Sequence, residues 1–161
     1  MSRQSPRQKC KAATVSWDET PRTVQVTMVN QSCPFCELPA ERIVNQNDLA
    51  MEIRDGYPIS PGHTLIIPKR HIGSFFELSK AEVGAMLELV TIAKRNLDTQ
   101  LSPDSYNIGI NDGPHAGQTV PHVHMHLIPR YQGDVKDPRG GVRWLIADKA
   151  DYWSDEGSAS S

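Results

Sequence analysis

Hydrophobic and polar positions recur along this chain with two different periods, and the change of period divides it into elements. Thr23-Val24-Gln25-Val26-Thr27-Met28-Val29 alternates with period two and predicts a half-buried strand, paired with Val15-Ser16-Trp17 across the turn at 18–22. Residues 42–44 and 49–53 are apolar-rich and flank the polar stretch 45–48, which predicts a hairpin. Residues 64–67 form a short apolar strand, punctuated by Pro61-Gly62 before it and Pro68 after it. The period then changes. Ser79-Lys80-Ala81-Glu82 is a capping box, and behind it Val83, Met86, Leu87, Val90, Ala93, Lys94 and Leu97 follow helical spacing. That predicts one long amphipathic helix ending before Ser102-Pro103. Residues 106–111 read as a strand, 112–119 as a glycine-rich loop, and 122–128 as a strand that alternates again. One helix among strands that do not alternate with helices predicts an α+β fold with an antiparallel sheet.

Composition narrows this picture. The chain has 161 residues, 38% hydrophobic and 22% charged, which is enough for one domain with its own core. Residues 1–12 carry Arg3, Arg7, Lys9 and Lys11 with little apolar content and predict a disordered leader. Residues 13–31 form an N-terminal strand extension, 32–153 the main domain, and 154–161 a disordered Ser/Gly-rich tail. No apolar run is long enough to span a bilayer, and no apolar segment follows Met1-Ser2-Arg3-Gln4-Ser5-Pro6, so a cytoplasmic protein is expected. A net charge of -2 argues against a strongly basic nucleic-acid-binding domain.

The candidate chemistry gathers at residues 122–128. In a strand His122, His124 and His126 share one face, about 7 Å apart, while Val123, Met125 and Leu127 point to the core. Packing explains the apolar face and leaves three imidazoles in a row unexplained. Imidazole serves as nucleophile, acid/base or ligand near neutral pH. In the preceding loop Gly113 and Gly117 allow close backbone approach to a ligand. Successive amides there can form an anion-holding nest, with Thr119, Asn111 and Gln118 as neutral donors. A glycine loop feeding a histidine strand fits phosphate held by amides and attacked by imidazole.

Gly-Gln-Thr-Val-Pro-His-Val-His-Met-His-Leu-Ile-Pro-Arg at 117–130 resembles the signature of the histidine triad (HIT) superfamily, and Pro61-Gly62-His63 through His71 resembles its second block. The resemblance covers roughly residues 32–130. It implies a HIT-like fold with a five-stranded antiparallel sheet and one long helix, a homodimer sharing a continuous sheet, and transfer of nucleotidyl groups through a nucleotidyl-histidine. It makes His124 the nucleophile and gives His126 a phosphate contact that helps set protonation. Thr119 falls where the family touches the scissile phosphate or leaving group, Asn111 where it places Asn or Gln, and Gly117 and Gln118 on the phosphate loop. Asp55 takes the ribose-binding place, although it also reads as a turn residue before Gly56. A carboxylate can accept from both hydroxyls of a vicinal diol. Phe35, Leu38 and Ile53 are walls for the base or plain core.

Three cysteines are present, two of them in Cys33-Pro34-Phe35-Cys36. In a reducing compartment this spacing reads as metal or redox chemistry, and no βαβ context supports a thioredoxin-like role. Spacing leaves His63, His71, His115 and His122 all open as partners. The resemblance to zinc-containing bacterial HIT proteins and to galactose-1-phosphate uridylyltransferases implies Cys33, Cys36, His71 and His122, with a structural zinc. Arg139-Gly140-Gly141-Val142-Arg143-Trp144 resembles a diadenosine-tetraphosphate-hydrolase-like bacterial subgroup. Arg130, Arg139 and Arg143 then read as distal-phosphate contacts or as surface residues.

A hydrolase of dinucleoside polyphosphates leads. A nucleoside phosphoramidase, a phosphorylase, a non-catalytic nucleotide-binding protein and a zinc-knuckle nucleic-acid module follow.

Overall fold

The computed structural model describes residues 33–151. The expected strand pair at 15–17 and 23–29, the leader and the tail lie outside the described residues. Among the described residues five strands form one sheet: β1 (Ile43–Gln46), β2 (Ala50–Arg54), β3 (Thr64–Pro68), β4 (Ser105–Ile110) and β5 (Met125–Arg130). Their order is β1-β2-β3-β5-β4, and every neighbouring pair is antiparallel. The expected five-stranded antiparallel sheet with one long helix is the fold observed. No helix among the described residues is long and apolar enough to cross a membrane.

The single α-helix among the described residues, α1 (Lys80–Leu101), starts at the capping box. Ser79 Oγ accepts from the Glu82 amide at 3.2 Å, and Glu82 accepts from the Ser79 amide at 2.8 Å. Arg70 adds a bidentate pair to the same carboxylate, which is held down at about 2, by the Arg70 bond first and the Ser79 bonds next. The helix ends at Ser102, in the left-handed region at φ 48°, followed by Pro103, which cannot continue it. Met86, Leu89, Val90, Ala93 and Leu97 are buried, each large side chain stabilising the fold by about 1.5–3 kcal/mol. Leu87, expected on this stripe, is 51% exposed, and Leu89 takes the buried position.

The first hairpin turns later than the pattern 45–48 suggests, because Asn45 and Gln46 belong to β1. Asn47 makes the turn: its Oδ1 accepts from the amides of Leu49 and Ala50, and its Nδ2 donates to the Ala85 carbonyl of α1.

The two faces of the sheet differ. On the helix side, Ala50, Ile66, Met125 and Leu127 pack with α1. On the other side, Met51, Ile53, Leu65 and Ile67 form a smaller cluster joined by Phe35, Leu38 and Ile43.

Candidate active site

A cleft of about 940 Å³ opens on the face away from the helix. Its floor is a row across four strands. Ile53 pairs with Leu65, Leu65 with His126, and His126 with Gly109, and directly opposed residues project to one face. Phe35 and Leu38 wall one end, and Asp55, His63, Asn111, Thr119 and His124 also line it.

β5 begins at Met125, so His122 and His124 precede the ladder and do not sit within it, as the uninterrupted strand at 122–128 requires. The chain leaves the sheet because the Val123 amide donates to Ile72 O at 2.7 Å, beyond the end of β3. The alternation survives: Val123, Met125 and Leu127 are core, while His124 and His126 line the cleft.

Hydrogen bonds fix the imidazole tautomers. His124 Nδ1 lies 2.8 Å from the carbonyl of His122. A carbonyl only accepts, so Nδ1 carries the proton and Nε2 keeps its lone pair. By the same reasoning His122 Nε2 donates to Pro68 O at 2.9 Å, leaving its Nδ1 lone pair for the thiols. His126 stands beside His124, ring centroids 5.1 Å apart, with its Nδ1 3.0 Å from His63 Nε2. The His126 Nε2 atom is buried with no hydrogen-bond partner among the described residues. Burial, then the neighbouring His124 and His63, push His126 down to about 4, so it is neutral at pH 7. Burial also lowers His63, partly offset by Asp55, whose Oδ2 is 3.4 Å away.

His63 is a site residue that the spacing offered only as a metal candidate. The turn before it explains its position. Gly62 has φ +83°, and a Cβ there would meet Leu97 and Leu101 at 2.7 Å. Only glycine lets the loop press against the end of α1 while His63 enters the cleft. Asp55 fills both of its readings: Oδ1 accepts from the Tyr57 amide in a turn, and the residue lines the cleft. Arg42, which the pattern did not single out, also lines it and donates to the Arg54 carbonyl.

The glycine-rich loop differs from expectation. Gly117 and Gln118 are not on the cleft wall. Gln118 is a brace: its Oε1 accepts from the Gly113 amide at 2.7 Å and its Nε2 donates to Gly73 O at 2.8 Å. The amides of Ala116, Gly117 and Gln118 are satisfied by Gly113 and Pro114 carbonyls, so these three do not form an open nest. Gly117, at φ +89°, closes this turn. Asn111 and Thr119 do reach the cleft. Arg130 is engaged by Asp134 and Asn107, Arg139 by Asp137, and Arg143 by the Lys149 and Ala150 carbonyls, which fits their surface reading.

Beside the cleft, Cys33, Cys36, His71 and His122 bring four donor atoms within 4.8 Å of one another. Cys33 Sγ is 3.4 Å and Cys36 Sγ 3.6 Å from His122 Nδ1, and Cys36 Sγ is 3.2 Å from His71 Nδ1. The edges of a tetrahedral Cys₂His₂ zinc site are roughly 3.3–3.8 Å, from Zn–S and Zn–N bond lengths. The His122 tautomer, with Nε2 held by a carbonyl, is the second-sphere arrangement usual for a ligating histidine. The donor set therefore fits a tetrahedral ion. His63 and His115 are not in this cluster.

Known proteins resemble this chain in sequence and in fold. A 16.1 kDa HIT-like protein of Mycoplasma pneumoniae is 33% identical over 110 residues, 66% of this chain and 76% of that protein. The bis(5'-adenosyl)-triphosphatase of Saccharomyces cerevisiae is 40% identical over 103 residues, 63% of this chain, and the match spans only 47% of the yeast enzyme. The crystal structure of a zinc-bound histidine triad family protein from Mycobacterium smegmatis superposes with a TM-score of 0.58 at 35% identity, covering 74% of this chain and 94% of that one. The HIT domain model matches residues 37–133, and the chain belongs to that family.

Proposed function

We propose that this HIT-family chain is a hydrolase of dinucleoside polyphosphates that works through a nucleotidyl-histidine. The observation that carries the proposal is the pinned His124 ring. Its Nδ1–H is held by the His122 carbonyl, so Nε2 is the nucleophilic atom on a ring that lines a cleft able to hold a nucleoside. The name of the yeast relative, a bis(5'-adenosyl)-triphosphatase, supports the substrate class.

The residues divide the work. Phe35, Leu38 and Ile53 hold the base, and Asp55 accepts from the ribose hydroxyls. His124 Nε2 attacks the α-phosphorus, and the P–O bond to the leaving nucleotide breaks. The leaving oxygen takes a proton from solvent, with Thr119 and Asn111 beside it. Water then attacks the same phosphorus and returns a proton to solvent as the P–N bond breaks, which restores the neutral His124 ring. His126, neutral when the cleft is empty, gains proton affinity beside an anionic phosphate, and His63 orients it through the 3.0 Å contact. Gly117 and Gln118 support the reaction indirectly, by bracing the loop that presents Thr119.

Room for a second nucleoside favours a dinucleotide over a phosphoramidate. An adjoining hollow of about 790 Å³ shares Ile59, Asn107, Ile128, Val142 and Leu145 with the cleft, and Trp144 and Tyr131 line it.

Cys33, Cys36, His71 and His122 hold a structural zinc in this reading. Four protein ligands leave no position for a catalytic water, so the ion supplies cross-linking and charge neutralisation of the thiolates. Reduced thiols accord with a cytoplasmic protein. A homodimer joined along the β4 edge, where Ile108 is half exposed, completes the proposal.

The test is incubation with dinucleoside polyphosphates and with adenosine phosphoramidate, and separation of the products by chromatography. Faster turnover of a dinucleoside polyphosphate to AMP and the remaining nucleotide is expected. Faster turnover of the phosphoramidate would replace the proposal with a phosphoramidase.

A further inference from the structure

The described chain starts in a turn, 33–37, that belongs to no strand. Its backbone bonds are internal: the Cys36 and Glu37 amides donate to Cys33 O at 3.0 and 3.2 Å. Among the described residues, the turn meets the body of the protein through its thiols and through Phe35. The two thiols contact His71 and His122. Phe35, between the two cysteines, packs against the Met51, Ile53, Leu65 and Ile67 cluster and lines the cleft.

Phe35 also touches both histidines that matter. Its ring stands edge-on to His122 at 5.9 Å and to His124 at 5.2 Å between centroids. His122 in turn has two tasks. Its ring meets the thiols, and its carbonyl holds the Nδ1–H of His124. A row of rings therefore runs from the thiol cluster into the cleft: His71, His122, Phe35, His124 and His126, with successive centroids 4.9 to 5.9 Å apart.

We propose that Phe35 is a positioning residue through which the Cys/His centre sets both the nucleoside wall of the cleft and the orientation of His124. The inference rests on the nucleotide and zinc readings above and goes beyond them, since neither requires the two sites to be coupled. Its physical basis is the spacing. With both cysteines ligated, the turn is fixed at two points, two residues before Phe35 and one residue after it, and the ring is held against His124. With the ligands released, what holds the turn among the described residues is its internal bonds and its apolar packing, and the ring loses its fixed place. A nucleotide that packs on Phe35 binds the ordered arrangement better, so it favours the ligated state. Coupling of this kind is reciprocal: the factor by which zinc tightens nucleotide binding is the factor by which nucleotide tightens zinc binding.

Reciprocity supplies a test that does not depend on turnover. Binding of AMP to the zinc-loaded full chain is first measured by calorimetry. Zinc affinity is then measured by competition with a chromophoric chelator, with and without saturating AMP. AMP should raise the zinc affinity of the wild-type protein about tenfold, within the usual range of coupling between sites. Phe35→Ala, still binding zinc, should reduce that factor to less than about twofold, and Phe35→Leu, which keeps apolar bulk without the ring, should lose most of it. AMP that binds the zinc-loaded wild type and leaves its zinc affinity unchanged overturns the coupling, whatever the variants do. Full coupling retained in Phe35→Leu or Phe35→Ala overturns the role of Phe35. Failure of AMP to bind the zinc-loaded protein overturns the nucleotide reading, and the coupling with it.

Discussion

The same strands build two unlike surfaces. On the side facing α1, Ala50, Ile66, Met125 and Leu127 close against helix residues with almost no exposure. On the side facing the cleft, Ile53 and Leu65, themselves buried under Phe35 and Leu38, lie in one row with His126 and Gly109, which line the cleft. Period-two alternation thus places stability on one face and chemistry on the other, one residue apart. Each face carries a residue of unexpected character. The closed face holds Glu52, a carboxylate with no exposure, and the open face holds Gly109, with no side chain at all. Substitutions at these faces should separate the two properties.

The largest effect belongs to the open face. His124→Ala should lower kcat by roughly 10⁴-fold or more, because nothing else supplies the attacking nitrogen. Nucleotide affinity, measured by calorimetry, should change little, since Asp55 and the apolar wall remain.

Gly62→Ala should break the closed face instead. The new methyl meets Leu97 and Leu101 at 2.7 Å, at a φ that side chains rarely adopt. Overpacking and backbone strain together should cost about 2–4 kcal/mol in denaturant unfolding. Unchanged stability would show that the loop–helix contact is slack.

Gly109→Val sharpens the comparison. An added Cβ at Gly109 meets nothing within 4 Å among the described residues, and φ is not positive, so folding should be unaffected. The side chain would project beside His126, its cross-strand partner, into the space for substrate. KM should rise about tenfold, worth about 1.4 kcal/mol, with an unchanged melting temperature.

The smallest effect is at Glu52. Burial raises its carboxyl above the ordinary value of 4.5, against the pull of Arg54, and Oε2 has no hydrogen-bond partner among the described residues. A group raised in the folded state contributes stability below its unfolded value and loses it as pH rises through the folded one. Glu52→Gln keeps an oxygen for Arg54 Nη1 and removes the buried charge. It should stabilise the protein by about 1 kcal/mol at pH 7. The gain should vanish below pH 4.5, where wild type is already neutral.

What could be read from sequence follows the range of the interaction involved. The cap at Ser79 and Glu82 is written in four adjacent letters and appears as expected. The triad alternation is also local, and its faces hold even though β5 starts only at Met125. Contacts that span the fold carry no such local sign. His63 and His126 are 63 residues apart, so their 3.0 Å contact is not visible in the spacing of either. The same holds for the Cys/His group, where four histidines were open by spacing and the fold gathers His71 and His122. Gln118 could not be told from a substrate donor, because its partners, Gly73 and Gly113, are backbone atoms that any sequence supplies. Leu87 lies beside the core stripe of α1, and which neighbour turns inward depends on how the helix is rolled against the sheet.

The central claim is that His124 forms a covalent bond to phosphorus. Wild-type protein quenched rapidly in base during turnover of a substrate labelled at the α-phosphate should yield labelled protein. Proteolysis should place the label on His124, as an adduct stable in base and lost in acid, because a phosphoramidate nitrogen leaves readily once protonated. A chiral phosphorothioate substrate should then react with net retention, the sum of two in-line displacements. Clean inversion with no trapped adduct would contradict the account, since water would then be the direct attacking group and His124 its general base.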